Sequence, residues 1–390
     1  MAENKEYDIL IAGGGLAGVT LALAAGRLGK SVCLCAPEVA SDNRTTALLN
    51  DSVEFLETLD IWNELSKHVH PLKTMRILDG TSRLFRIQQT DFHAKEIGLE
   101  AFGYNIRNRD FLSEVGIKLE DQTNVDVFQG QLESLDLKGN LILAKVSDAT
   151  GNSSIVHAKF IVGADGRNSV IRAHFGHGER KWAYPQTALV VDFEHEYPTG
   201  SASTEFHTET GPFTIVPQSS RTAGLVWLEK PEEAERLKSL AIPDLETVLE
   251  EKMQSFLGKI KIEKPAQTFP ISGLTARCFG DTHHALIGEA AHLFPPIGAQ
   301  GFNLGIRDIR DLIKVFGGNT DNQNPGREYN ALRSSDIQSR TIGVDMLNRS
   351  LLSDFLPVQL VRSIGIFALK KVPILRKRAM KLGISPIFHG

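Results

Sequence analysis

Tyr7-Asp8-Ile9-Leu10-Ile11-Ala12-Gly13-Gly14-Gly15-Leu16-Ala17-Gly18 is the stretch on which the fold turns. Its first half is short, aliphatic and β-branched, as a buried strand requires, and Leu16 to Leu28 carries apolar residues in nearly every turn of a helix. Strand, tight turn and helix are the context in which G-x-G-x-x-G reads as a dinucleotide site. In that geometry Gly13 makes the turn, Gly15 lets the backbone approach a pyrophosphate, and Gly18 lets helix and strand pack closely. The helix start at Leu16 and Ala17 offers N–H groups and the positive end of its dipole to phosphate. The plainer reading is a glycine-rich turn with no ligand.

An acidic residue normally ends the second strand of such a unit, about 20 residues after the first glycine, and binds the adenosine ribose. Here the strand Ser31-Val32-Cys33-Leu34-Cys35 places Ala36 at that position. Glu38, beyond Pro37, is the nearest carboxylate; either it reaches the ribose from the turn or that contact is missing.

With 390 residues, 42% apolar and 23% charged, the chain is long enough for two domains of ordinary globular composition. A formal charge of −4 gives no general attraction to nucleic acid, so any basic surface must be local. Three cysteines do not make a disulfide framework. Cys33 and Cys35 point the same way along one strand and read as buried apolar thiols. No metal site is expected. Met1-Ala2-Glu3-Asn4-Lys5-Glu6 does not read as a signal peptide and no apolar run has transmembrane length, so a cytoplasmic location is expected.

Beyond the second strand, Arg44-Thr45-Thr46-Ala47-Leu48-Leu49-Asn50 is a polar start running into a helix from Ser52 to Leu59, with Thr45, Thr46 or Ser52 as its cap. Arg44 is either a solvated charge or reaches over a bound phosphate or flavin edge, which its planar fork suits. Thr74 to Ile87 is strand-like with a hairpin signal at Asp79-Gly80, and a helix is expected over Arg109 to Leu119. Short strands punctuated by Lys138-Gly139-Asn140 and Asp148-Ala149-Thr150-Gly151-Asn152 follow as a meander. A buried strand, Phe160-Ile161-Val162-Gly163-Ala164, then delivers Asp165-Gly166 at its carboxyl end. Ligands of open α/β sheets lie at that edge, so Asp165 suits ribose or a reducing cofactor; Asp-Gly is also a common turn pair. Ser169 begins a short helix containing Arg172. From Thr187 to Leu228 the pattern is mostly antiparallel strand, followed by a helix over Pro231 to Phe256: a second domain laid over the first.

The densest signal is His284-Ala285-Leu286-Ile287-Gly288-Glu289-Ala290-Ala291-His292, continuing as Leu293-Phe294-Pro295-Pro296-Ile297-Gly298-Ala299-Gln300-Gly301-Phe302-Asn303-Leu304-Gly305-Ile306-Arg307-Asp308. A strand ends at Gly288-Glu289, a loop stiffened by two prolines follows, and a helix starts near Gly301 to Asn303. Gly298 and Gly301 permit close backbone approach to a flat ligand. A pyrophosphate at the first loop, an electron-rich ring at this one and an acid between them describe an extended FAD better than NAD.

Together these stretches resemble the FAD-dependent aromatic hydroxylases of the p-hydroxybenzoate hydroxylase type. The runs Arg44 to Leu49 and Pro296 to Asp308 look more narrowly like the UbiH/UbiF/VisC-type hydroxylases of ubiquinone biosynthesis, over essentially the whole chain. The fold this resemblance implies is α/β: a Rossmann-like FAD-binding domain of the glutathione-reductase type (1–72, 101–178 and 272–340), an inserted, mostly antiparallel substrate domain (73–100 and 179–271) and a C-terminal helical segment (341–390). It implies cofactor contacts from Gly13, Gly15, Leu16, Ala17, Gly18, Glu38, Arg44, Asn108, Asp165, Gly288, Glu289, Gly298, Gln300, Gly301 and Asn303. Pro296 and Gly298 would form the loop at the flavin ring, and no general base is assigned. Gly288-Glu289 stands where the family has Gly-Asp for the ribityl chain, one methylene longer.

The implied chemistry is a single-component monooxygenase: NAD(P)H reduces FAD, O₂ adds to it, and a flavin hydroperoxide hydroxylates the ring of a prenylated phenol or quinone precursor. The rivals are a prenyl-chain reductase or halogenase sharing the first glycine motif, and a non-catalytic prenyl-binding carrier comparable to guanine-nucleotide dissociation inhibitors. Nucleic acid is not an expected partner. Between Leu351 and Leu382, Arg362, Lys370, Lys371, Arg376, Lys377, Arg378 and Lys381 form a local basic cluster amid apolar residues. It is a helix with a solvated basic face, or a peripheral contact with anionic lipid or partner proteins.

Overall fold

The first strand, Glu6–Ala12, is paired on both sides by parallel strands, Val32–Ala36 and Ser153–Gly163. The computed structural model describes residues 5–37, 42, 44–81, 89–296, 300–318, 324–352 and 372–384. Among these, seven strands form the first sheet. Val125–Lys138 extends it parallel to the second strand, and Leu141–Asp148 joins antiparallel. His284–Leu286 adds on parallel to Ser153–Gly163. The meander turns form as expected: Gly139 and Gly151 take φ of 62° and 86°, and Asp148 Oδ1 accepts from the backbone N–H groups of Thr150 and Asn152. The expected helix over Arg109 to Leu119 is Asn108–Glu120. Ile9, Leu10, Ile11, Leu21, Leu23, Cys33 and Cys35 are buried in the core that this sheet forms with the helices packed on it, the first of them Leu16–Arg27. Burial pushes both thiols up to about 12, so they are inert apolar packing.

A second sheet of nine strands runs in the order His292–Leu293, Gln267–Ala276, Glu179–His195, Thr222–Glu229, Pro212–Pro217, Ala202–His207, Thr74–Asp79, Thr90–His93, with Ile260–Ile262 paired to Glu179–His195. One face, with Leu189, Val191, Phe213, Leu225 and Trp227, packs on helices bearing Leu237, Leu245 and Leu249. A small three-stranded sheet, Thr45–Leu49, Gly103–Arg107 and His70–Leu72, stands between the two larger ones.

Two expectations change. Thr45–Leu49 is a strand rather than a helix cap, because it pairs with the distant Gly103–Arg107; the helix following it, Asn50–Thr58, has no side-chain cap. The helix expected over Pro231 to Phe256 is two, Pro231–Lys238 and Ile242–Lys252. Pro243, which has no N–H to donate inside a helix, sits in the first turn of the second. The strand from Thr74 ends at Asp79, where the hairpin signal stands, and Asp79 Oδ1 accepts from Thr81 N and Oγ1. Residues 82–88 lie outside the described residues, and Thr90–His93 returns antiparallel. The helix Pro325–Leu352 runs unbroken through position 340.

Candidate cofactor site

The glycines of the first loop divide by what a side chain would meet. A Cβ at Gly13, which has φ of 116°, would lie 2.3 Å from Ala164 O. One at Gly18 would lie 1.8 Å from Gly13 O, and one at Gly14 would lie 2.5 Å from the Ala36 side chain. These three are fixed by how the helix packs on the strand ends. Gly15 is not: it has φ of −74° and ψ of 179°, open to any residue, and a Cβ there meets nothing within 4 Å. Gly15 caps the first helix without a side-chain hydrogen bond, and that helix has no acid in its first turn. Open space therefore faces the N–H end of the helix, over Gly15, Leu16 and Ala17.

Pairing of Ala12 with Gly163 carries Asp165 to the same edge. Its Oδ2 accepts from Val170 N at 2.7 Å and Ile171 N at 3.3 Å, starting the short helix Val170–Phe175. Its Oδ1 is buried with no partner among the described residues, an acceptor left for a ligand hydroxyl. Ala36 does end the second strand; Glu38 lies outside the described residues.

Arg44 is held by Asp42, through Nε at 2.9 Å and Nη2 at 2.8 Å, and Asp42 also accepts from Asn108 Nδ2 at 2.8 Å. Although burial alone would raise it, the hydrogen bonds from Arg44 and Asn108 hold the Asp42 carboxyl below its ordinary value. Asn108 in turn accepts from Thr46 Oγ1. Asp42, which the sequence reading did not single out, thus ties two of its candidates together; an acid two residues before the arginine was the available signal.

The late tract closes against the first loop. Gly288, at φ of 57°, has its Cβ position 3.3 Å from the Ala17 side chain, and the Gly305 Cβ position lies 3.6 Å from Gly288 Cα. Glu289 is half exposed, with its carboxylate 3.8 Å from Arg167 Nε. Pro296 is exposed; Gly298 lies outside the described residues. Gln300 opens the helix Gln300–Gly317, and a Cβ at Gly301 meets nothing within 4 Å. The Asn303 side chain is committed to the protein itself: Oδ1 accepts from Leu49 N and Ser52 Oγ, and Nδ2 donates to Ala47 O. It clasps the Arg44 strand to the late helix.

Beneath this loop lies a group that sequence reasoning quoted without weighing. Asp308, fully buried, accepts at Oδ2 from Gly288 N (2.9 Å) and bonds His292 Nε2 (2.7 Å), and at Oδ1 accepts from Arg333 Nε (2.9 Å). Arg333 also donates to Asp311 and Asp336. A buried charge needs partners of this kind, and these fix the backbone on which Gly288 and Glu289 are displayed.

The second sheet turns its other face toward the Arg44 strand. The side chain missing at Gly224 would approach Thr45 Oγ1 at 3.9 Å, and Val226, two residues on, shares that side. Pairing continues the row from Val226 to Val190 on one neighbour and to Thr214, Glu205 and Ile77 on the other. Val190, Val226, Thr214 and Ile77 are only half-buried, whereas Leu189, Leu225 and Ile215 between them are buried. A largely apolar wall is thus left facing the cofactor loops.

The family model described as FAD binding domain matches residues 6–323. Ubiquinone hydroxylase UbiL of Rhodospirillum rubrum is 30% identical, over 99% of this chain and 91% of that protein. The 3-demethoxyubiquinol 3-hydroxylase of Escherichia coli is 26% identical over 98% of this chain and 99% of its own. The crystal structure of p-nitrophenol 4-monooxygenase PnpA from Pseudomonas putida superposes with a TM-score of 0.81 at 16% identity, over 99% of this chain and 100% of that one, a likeness of fold. The free helix end over Gly15 and the free Asp165 oxygen fit the FAD these matches require. The chain belongs to the FAD-dependent hydroxylases of ubiquinone biosynthesis, within the wider FAD-binding-domain family.

Proposed function

We propose that this hydroxylase acts on the aromatic ring of a prenylated phenol-type intermediate, with NAD(P)H as reductant and O₂ as oxygen source. The observation that carries the reading is Gly15, whose lack of a side chain serves no contact among the described residues and leaves room for a pyrophosphate. Bound FAD would supply the electron transfer and oxygen activation. The chain's own groups bind and orient: the N–H groups after Gly15 would take the phosphates, Asp165 Oδ1 a hydroxyl, and Arg44, pinned by Asp42, the cofactor edge. Gly288, Glu289, Gln300 and Gly301, with Pro296 and Gly298, would border the ribityl chain and ring. The half-buried row of Val190, Val226 and Ile77 suits a prenylated ring and keeps water from the reacting face. In this reading the first sheet with its helices is the FAD domain and the second sheet the substrate domain.

The prenyl tail places the substrate in a bilayer, which gives the C-terminal helix a role. Among the described residues no helix is long and apolar enough to cross a membrane. The helix Pro373–Ile384 instead exposes Ile374 and Leu375 alongside Lys377, Arg378 and Lys381, which suits peripheral contact with anionic lipid. Arg376 is not part of that surface: it donates to Glu96 and lies over the Phe92 ring at 4.4 Å, docking the helix. Arg362, Lys370 and Lys371 lie outside the described residues. The substrate assignment is tested by mass spectrometry of quinone intermediates in a strain lacking this protein. Accumulation of a prenylated phenol short of one ring hydroxyl, reversed by the wild-type gene, is expected; an unchanged quinone profile would remove the assignment.

A further inference from the structure

A second cleft, of about 530 Å³, opens between the small three-stranded sheet and the turn after Pro217. Unlike the apolar wall it is polar and cationic, lined by Thr45, Lys67, His70, Arg107, Ser219 and Thr222. Arg107 pairs in register with Thr45, the residue after the cofactor arginine, so cleft and cofactor loops share one strand. Lys67 is exposed and has no ion-pair partner among the described residues. Arg107 donates to the neutral Gln218 at 3.3 Å, and Gln218 in turn donates to Asp192, whose carboxyl also feels the Arg107 charge. Asp110 already accepts from Arg109, and His68 meets Glu114. The cleft also holds an orphan acceptor. Asn105 is 3% exposed, donates Nδ2 to Pro217 O, and keeps a buried Oδ1 with no partner among the described residues.

A neutral prenylated ring satisfies none of this. A ligand that does must carry anionic oxygens for Lys67 and Arg107 and a hydroxyl or amide donor for Asn105, and a nucleotide diphosphate carries both. We infer that this cleft is the docking site of the nicotinamide dinucleotide reductant, with Lys67 and Arg107 on its phosphates and Asn105 Oδ1 on a ribose hydroxyl or the carboxamide. The inference rests on the proposed function for its use of NAD(P)H. It gives a chain with one G-x-G-x-x-G unit a separate place for its second dinucleotide.

The test uses the FAD-loaded protein and its Lys67→Ala and Arg107→Gln variants. Titration calorimetry with ADP-ribose, which carries the diphosphate without the nicotinamide, reads the site without turnover. Each variant is expected to weaken ADP-ribose binding and raise KM for NAD(P)H about tenfold, the loss of one charge-assisted contact, with FAD content at the wild-type level. A loss equal for NADH and NADPH is expected, because both carry the diphosphate; a loss confined to NADPH, with ADP-ribose binding unchanged, would move the cations to its 2′-phosphate and overturn the diphosphate assignment. Unchanged ADP-ribose affinity in both variants, or a rise in KM for the aromatic substrate alone, overturns the inference. A protein that binds ADP-ribose through these residues but oxidises no NAD(P)H would sink the functional reading and leave the nucleotide site standing.

Discussion

Replacing Gly15 with valine separates what the fold needs from what the cofactor needs. At Gly15 the backbone is extended and a Cβ meets nothing within 4 Å, so the folded protein is not strained by a side chain. Two small terms act on stability: a poorer helix cap costs about 0.5–1 kcal/mol, and a stiffer unfolded chain returns about 0.4–1 kcal/mol. The cofactor-free variant should therefore melt within a few degrees of the cofactor-free wild type. Binding is another matter, because the new side chain occupies the approach to the helix N–H groups. Loss of two hydrogen bonds to a charged phosphate, at about 1.5–3 kcal/mol each, weakens FAD by roughly 10²–10⁴-fold. Gly18→Ala is the control: its Cβ would fall 1.8 Å from Gly13 O, an overlap costing about 1–3 kcal/mol or more with or without FAD. The assay is quenching of flavin fluorescence on titration, paired with melting curves of both forms. A Gly15→Val protein that binds FAD as wild type does would refute the pyrophosphate assignment.

The Asp308 cluster makes a different prediction: Asp308→Ala leaves Arg333 and His292 without their buried partner and should cost about 3–5 kcal/mol in urea unfolding, so a loss below about 1 kcal/mol would show the cluster is not holding the Gly288 loop. Burial, aided by the neighbouring His177, lowers His284 from 6.5 to about 3, where it stacks on Phe175 at 3.7 Å. The unfolded chain takes up this proton below about pH 6.5 and the folded one does not, so stability is fully present above that pH and falls toward pH 3, at roughly 1 kcal/mol per pH unit. His284→Phe should flatten that slope in pH-dependent denaturation, and an unchanged slope would clear His284 of the effect. Lys377→Gln, Arg378→Gln and Lys381→Gln together should abolish low-salt flotation with anionic liposomes, each cation contributing about 1 kcal/mol; a triple variant that floats as wild type does would leave the helix as ordinary packing.

What could be read from the sequence follows the range of the interactions responsible. Gly13 to Gly18, the turns at Gly139 and Gly151 and the capping of the helix after Ser169 are local, and each appears where its residues imply. Thr45 and Thr46 look like a helix start because their strand exists only through pairing with Gly103–Arg107. Pro243 did carry a local signal, and it divides the helix expected there. Side-chain commitments were the least legible. Nothing in the sequence shows the Asn303 amide clasping Ala47 and Leu49, and Arg376 reads as a surface charge until Glu96 is beside it. Asp308 lies in a quoted tract, but nothing in spacing alone distinguishes a fully buried aspartate from a solvated one.

Loaded with FAD, this chain is expected to put an oxygen atom from O₂ onto an aromatic ring. Single-turnover reaction of the FAD-loaded protein with NAD(P)H, a short-chain prenylated phenol and ¹⁸O₂ tests it directly. A ring-hydroxylated product carrying one labelled oxygen is expected, with reductant consumed in equal amount and faster when the phenol is present. NAD(P)H consumed with the phenol unchanged and the label recovered as hydrogen peroxide, or a product whose new hydroxyl comes from water, would contradict it.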